Sequence, residues 1–294
     1  MLLLALSGAA GLALSSDPAQ PELVAVIRDR ALPEISGIAS SRQHPGVLWV
    51  HNDSGFGPWL HAIDARGRRL ASLRIEGVAA VDPEDLASFE LDGRRLLLLA
   101  DVGDNGGLRQ QVELVVVEEP AELADGVLQP AWVQRFRWPD GPRDVEAVAV
   151  DPVAREVLLI SKKRVPPELY ALPLGPAEGV QQARRLGELS GIQQPQPEDL
   201  AANPRFGRYR AQITAADLSS DGRALAVLNY RRLHVYRRQP GEPWSEAVAR
   251  PPAELPFGWL AQAEAVGFSD DDAALWITGE RLPAPLIRVT VPGP

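Results

Sequence analysis

Cysteine is absent from the 294 residues, and methionine occurs once. The first absence excludes disulfides, zinc–thiolate centres and thiol nucleophiles within this chain, and leaves the redox compartment open. Histidine is scarce, at four residues. His51 and His61 do not show the spacing of a zinc site. A basic excess is missing too: the formal charge is −9 and the arginines are scattered. That argues against a nucleic-acid partner, whose binders carry a basic face or stripe. There is no Gly-x-Ser-x-Gly elbow for a serine hydrolase. Long apolar runs are lacking apart from Leu2–Leu14. That run is shorter than the ~20 residues that span a bilayer. With the small residues after it, it fits a signal peptide over 1–19 and an exported chain, periplasmic or secreted.

Several near-copies of one short pattern are present. "DPEDLA" at 82–87 returns as "QPEDLA" at 196–201, and looser forms are "DVEAVA" at 144–149, "TAADLS" at 214–219 and "QAEAVG" at 262–267. Most copies are followed by short aliphatic and β-branched runs bounded by Gly, Pro, Asp and Asn, such as "RRLLLLADVGDN" and "QVELVVVEEP". Runs of this kind are consecutive hairpins. A self-similar period of about 50 residues with four strands per unit predicts a β-propeller. The chain is therefore read as all-β: residues 20–294 form one propeller of five blades, beginning near 34, 82, 144, 214 and 262. A sixth blade is possible through the second "PEDLA", but 190–212 lacks a strand pair and reads as a loop insertion. "PELVAVIRD" at 21–29 is expected to supply the last strand of the final blade and close the ring, removing an open edge.

The first strand of each blade lines the central channel, and alternate side chains point to opposite faces. Asp82 and Glu84 should point one way, Asp85 and Ala87 the other. Aligning the copies by letter puts Ser36, Glu84, Glu146, Ala216 and Glu264 in equivalent places, so several blades bring a carboxylate to one channel mouth. Two explanations stand side by side. Crowded carboxylates call for a hard cation such as Ca²⁺, with 6–8 oxygen ligands; or the acids bond backbone amides of neighbouring blades and act as staples. Blade four lacks the acid, and Glu198 of the insertion is a candidate to fold over the channel and replace it.

Second strands end on the same face in polar residues: Asp53, Asp101-Val102-Gly103-Asp104-Asn105, Lys162-Lys163, Asn229-Tyr230 and Glu280-Arg281. Their other ends show ordinary turn chemistry, an asymmetry that marks a functional face. Lys162, Lys163 and Arg164, with Arg109 and Arg281, offer charge for an anionic ligand, and Trp59 and Trp259 could wall it.

"SGIASSRQHPGVLWVHNDSG", "DPEDLA", "LLLADVGDN" and "ITAADLSSDGRALAVLNY" resemble an extracytoplasmic bacterial β-propeller group, distantly similar to phytase-like and gluconolactonase-like propellers. The resemblance implies a divalent ion at the channel mouth, with Glu84, Glu146 and Glu264 facing it and Asp53 and Asp101 beside them. Blade four departs from that pattern. Two functions follow as expectations. One is a Ca²⁺-holding binding or recognition module for a small molecule, a peptide or a cell-envelope ligand. The other is a metal-dependent hydrolase of phosphoesters or lactones, with Asp104 or Glu146 as base and Lys162 or Arg109 stabilising negative charge.

Overall fold

The computed structural model describes residues 20–258, 260 and 262–292; the expected signal peptide and Trp259 lie outside them. Strand β1 (Pro21–Ile27) comes first in the chain but belongs to the last blade. Blade one is β2 (Ile35–Ser40), β3 (Val47–Asn52), β4 (Trp59–Asp64) and β5 (Arg69–Ile75). Next come β6 (Pro83–Leu91), β7 (Arg94–Asp101), β8 (Val112–Glu118), the short β9 (Gly126–Leu128) and β10 (Pro130–Arg137). Blade two consists of β6, β7, β8 and β10, while β9 adds in parallel to β5 of blade one. Blade three is β11 (Val145–Asp151), β12 (Glu156–Ser161), β13 (Glu168–Pro173) and β15 (Arg184–Glu188); β14 (Val180–Gln182) adds in parallel to β10. Blade four is β16 (Ile213–Leu218), β17 (Ala224–Asn229), β18 (Leu233–Arg237) and β19 (Ala253–Leu255). Blade five is β20 (Ala263–Phe268), β21 (Ala274–Gly279) and β22 (Ala284–Thr290), completed by β1 antiparallel to β22. The five blades and the closure by the N-terminal strand are as expected from the sequence. Among the described residues no helix is long and apolar enough to cross a membrane.

The first strands β2, β6, β11, β16 and β20 pack side by side in a closed ring. All but one of their residues are buried, because a strand between two neighbouring blades meets protein on both faces. Each first strand carries a register irregularity near its start: between Ile35 and Gly37, Pro83 and Asp85, Val145 and Ala147, Ile213 and Ala215, and Ala263 and Ala265. The extra residue is Ser36, Glu84, Glu146, Thr214 or Glu264. This corrects the alignment made by letter, since Thr214 and not Ala216 is the blade-four counterpart. A bulge frees a residue from the ladder and re-aims its side chain. The fold therefore repeats one device five times and places a side chain of choice at the channel mouth.

The residue after the bulge is Gly37, Asp85, Ala147, Ala215 or Ala265. Four are small, leaving space at the axis for the fifth. Asp85 is fully buried and crosses the channel: its Oδ2 accepts the amides of Val148 (2.8 Å) and Ala216 (3.1 Å), in blades three and four, and its Oδ1 accepts Leu86 N (2.9 Å). Ser36 Oγ donates to Glu84 O (2.9 Å), Thr214 Oγ1 to Ala263 O (2.7 Å), and Asp217 accepts Phe268 N (2.7 Å). Staples between blades thus exist, built from Ser36, Thr214, Asp85 and Asp217. The side chains of Glu84, Glu146 and Glu264 make no bond to a neighbouring blade's backbone among the described residues.

The segment 190–212 carries a short helix, α1 (Pro197–Ala202), and one 3₁₀ turn at Gly207–Tyr209. The second "PEDLA" is that helix, so the same five letters form a strand in one place and a helix in another. At 197–201 the proline occupies the first turn, where its missing N–H costs nothing, and Asp199 accepts Gln196 N (2.9 Å).

Candidate functional site

The bulged glutamates and the ends of the second strands meet at one mouth. Ligand atoms of Asp53, Asp82 and Glu84 lie within 4.8 Å of one another, and so do those of Glu84, Asp144 and Glu146. Glu84 belongs to both groups. It is 4% exposed and has no hydrogen-bond donor among the described residues. Asp82, Glu84's partner on the same face of "DPEDLA", completes the first group; the sequence pattern had placed the pair but not identified Asp82 as a ligand.

Charge separates the two groups. Lys162 Nζ contacts Glu146, and Lys163 Nζ lies 2.8 Å from Asp144. The second group therefore has its cations. The first group, Asp53, Asp82 and Glu84, has no ion pair of its own. Burial pushes Glu84 well above the usual carboxylate range, and the charges of Glu146 and Asp53 push it further. Burial, then Asp53 and Asp144, raises Asp82 to about 6. Lys162 and Arg109 offset part of this charge from a distance, and three oxygen-donor side chains without an ion pair of their own are a donor set for a hard divalent ion such as Ca²⁺.

The loop "DVGDN" builds the wall behind this group. Asp101 accepts Asp82 N (2.8 Å) and Val81 N (3.1 Å) and takes Arg109 Nη1 (2.8 Å), which also donates to Gly103 O (2.8 Å). Gly103 packs so closely that an added Cβ would fall 2.5 Å from Asp82 Oδ2. Asp104 accepts Leu108 N (2.7 Å) and Arg109 N (3.0 Å), and its own amide donates to Asp144 Oδ1 (2.9 Å). Asp101, Asp104 and Arg109 are thus arranged as the scaffold that orients Asp82 and Asp144. Asp101, expected at the ion, and Asp104, expected as a base, accept bonds within this loop, and Arg109, expected to stabilise charge, spends its Nη1 there.

Glu264 accepts the Tyr230 hydroxyl, and burial pushes its carboxyl up to about 8 against the pull of Lys162 and Tyr230. Glu280 is raised to about 7, by burial first and then by Asp53 and Glu34. Burial opposes the charge of Lys162, but Glu146, Glu264 and Glu84 more than offset it and hold the ammonium above its ordinary range. Both raised glutamates bind protons more tightly folded than unfolded, so their contribution is fully present below about pH 4.5 and is lost as pH rises through 7 to 8. Cation-free protein is expected to melt higher at pH 5 than at pH 8.5. A melting temperature that rises over that interval would show that these carboxyls are not held protonated.

Above this floor lies a chamber of about 700 Å³, lined by Asn105, Lys162, Lys163, Tyr230, Gln262 and Arg281 from the propeller. The insertion supplies Asn203, Phe206, Tyr209, Arg210 and Gln212 to the same lining. The insertion does reach the mouth, but not through Glu198. That residue is exposed in the first turn of α1, whereas Asp199 turns inward to Arg231 at 3.2 Å. Phe206 and Tyr209 form the aromatic wall; Trp59 stacks instead on His61, with ring centroids 6.3 Å apart. No sequence signal marked Arg210 or the insertion's aromatics.

No protein-family model matches the chain, and no curated protein matches it. Among solved structures, a chain of a nidogen/laminin complex crystal structure is similar at 12% identity and TM-score 0.44, covering 83% of this chain and 72% of that one. A U3-55K structure is similar at 11% identity and TM-score 0.42, covering 87% and 68%. At these scores the two neighbours add nothing to the fold, which stands on the strand pairings: the chain is a five-bladed β-propeller with an acidic channel mouth beside an open chamber.

Proposed function

We propose that the protein is an exported recognition module that holds one divalent cation, Ca²⁺ by donor type, between Asp53, Asp82 and Glu84, and receives a small molecule in the chamber above it. The observation that carries this reading is Glu84: a carboxylate 4% exposed, without a hydrogen-bond donor among the described residues, with ligand atoms of Asp53 and Asp82 within 4.8 Å. Burying an unpaired charge costs several kcal/mol, and a cation removes that cost. When bound, the ion would neutralise the three carboxylates at the channel mouth. The chamber's own residues bind and orient: Lys162 and Lys163 hold Glu146 and Asp144 in place, and Asn105 fixes Lys163 from the rim through its carbonyl (3.0 Å) and side-chain oxygen (3.1 Å).

The test is melting of the full chain in chelator and in added Ca²⁺. A ligand at a hundred times its Kd stabilises the native state by about 2.7 kcal/mol, a rise of roughly 5–10 °C for a domain of this size. Identical melts in chelator, Ca²⁺, Mg²⁺ and Mn²⁺ would remove the cation from the account.

A second reading, metal-dependent hydrolysis of a phosphoester or lactone, draws on the ammonium of Lys162 in the chamber lining. The Lys162 ammonium has three N–H donors, so beside its contact with Glu146 it can also donate to developing negative charge. Hydrolysis of a generic phosphoester or lactone that stops in chelator and in Lys162→Met would favour this reading over simple recognition.

A further inference from the structure

Two buried polar atoms without partners belong to side chains lining the chamber, and they are of opposite kind. Arg210 Nε is a donor; Gln262 Oε1 is an acceptor. The Arg210 guanidinium makes no hydrogen bond or ion pair among the described residues, and neither does that of Arg281 across the chamber. Lys162 and Lys163, by contrast, are already matched by Glu146 and Asp144. Arg210 is therefore the chamber guanidinium without a charge partner among the described residues, and Arg281 has only Glu280, raised to about 7, beside it. An unpaired buried donor or acceptor costs about 1–3 kcal/mol, and a guanidinium is the side chain best shaped to take a planar or tetrahedral oxyanion through paired N–H groups.

The wall that carries Arg210 is pinned rather than loose. Asp199 binds Arg231 and caps Gln196, and Asn203 Oδ1 accepts Phe206 N (3.1 Å). Gly207 sits so close to Leu200 that an added Cβ would fall 3.1 Å from its Cα. Arg210 is thus presented from a preformed turn. Around it, Asn105, Asn203 and Gln212 offer both donors and acceptors, and Phe206 and Tyr209 offer flat apolar faces. A volume of about 700 Å³ suits a molecule of metabolite size.

We infer that the chamber binds a hydroxylated oxyanion of sugar size, its phosphate or carboxylate taken by Arg210 and Arg281 and a hydroxyl donating to Gln262. This goes beyond the cation reading by giving the ligand's chemistry. It does not require the ion, so its test is run in chelator and its failure is distinguishable from failure at Asp53, Asp82 and Glu84.

The test is calorimetric titration of the full chain with glucose 6-phosphate, gluconate, inorganic phosphate and glucose. At least one of the two sugar anions is expected to bind, and the tighter one identifies phosphate or carboxylate as the preferred group; glucose is expected not to bind. Arg210→Gln and Arg281→Gln should each weaken the bound sugar anion at least tenfold. Arg210→Lys should fall between, since it keeps the charge but loses the fork. Gln262→Ala should weaken the sugar anion and leave inorganic phosphate unchanged. Arg210 makes no side-chain hydrogen bond or ion pair among the described residues, so its variants should melt no lower than the parent. If neither sugar anion binds, if glucose binds as well as they do, or if folded Arg210→Gln and Arg281→Gln variants bind like the parent, the inference is overturned.

Discussion

Asp85→Ala is expected to lower the unfolding free energy by about 4 kcal/mol or more, since it strands three buried amide donors at roughly 1–3 kcal/mol each. The donors are Leu86 N, Val148 N and Ala216 N, and they belong to three different blades. No other polar side chain of the first strands joins more than two. Asp85→Asn should recover part of the loss, because its amide oxygen in the place of Oδ2 keeps Val148 N and Ala216 N while its nitrogen faces Leu86 N. Asp217→Ala is the internal control. It strands Leu218 N and Phe268 N, and is expected to cost about 2 kcal/mol less than Asp85→Ala. Denaturant unfolding measures all three. An Asp85→Ala loss of about 1 kcal/mol or less would mean that the axial carboxylate does not hold the blades together.

Glu84→Gln is expected to act in opposite directions with and without the ion. In chelator the change removes a buried charge that faces Glu146, Asp53 and Asp82, and the variant should melt at or above the parent. In added Ca²⁺ the parent should rise by several degrees and the variant should not follow, so that the order of stability inverts. Glu264→Gln is the comparison. Its carboxyl is already partnered by Tyr230, so the variant should keep the response to Ca²⁺. A Glu84→Gln protein that gains as much from Ca²⁺ as its parent would place the ion elsewhere.

The blade count and the closure by β1 were legible because both are written in local patterns. Runs such as "RRLLLLAD" and "VELVVVE" can hardly be anything but strands, and "PELVAVI" had no other place to pair. The mouth itself was legible for a related reason: in a ring of repeats, equivalent positions converge. What letters could not convey was register. "TAADLS" matches "DPEDLA" by eye at Ala216, but the bulge selects Thr214, two residues earlier, where the pairing of β16 with β17 shifts register. The two "PEDLA" segments make the same point. One is held in β6 by neighbours on both sides, while the other, alone in an insertion, follows its local preference for a helix start. The division of labour among the acids was equally hidden. Whether a carboxylate staples, caps a loop, meets a lysine or stays unpaired depends on partners far along the chain. Asp85 finds Ala216 and Asp104 finds Asp144 only after the ring closes. The parallel strands β9 and β14 and the chamber wall around Arg210 arise from the paths of connections between blades, for which the repeat holds no signal.

Anomalous diffraction from crystals grown with Mn²⁺ in place of Ca²⁺ addresses the cation most directly. The account predicts one strong peak within coordination distance of Asp53, Asp82 and Glu84, and none between Glu146 and Glu264, where Lys162 already supplies the positive charge. A channel mouth without a peak, or a peak only at exposed surface carboxylates, would contradict it.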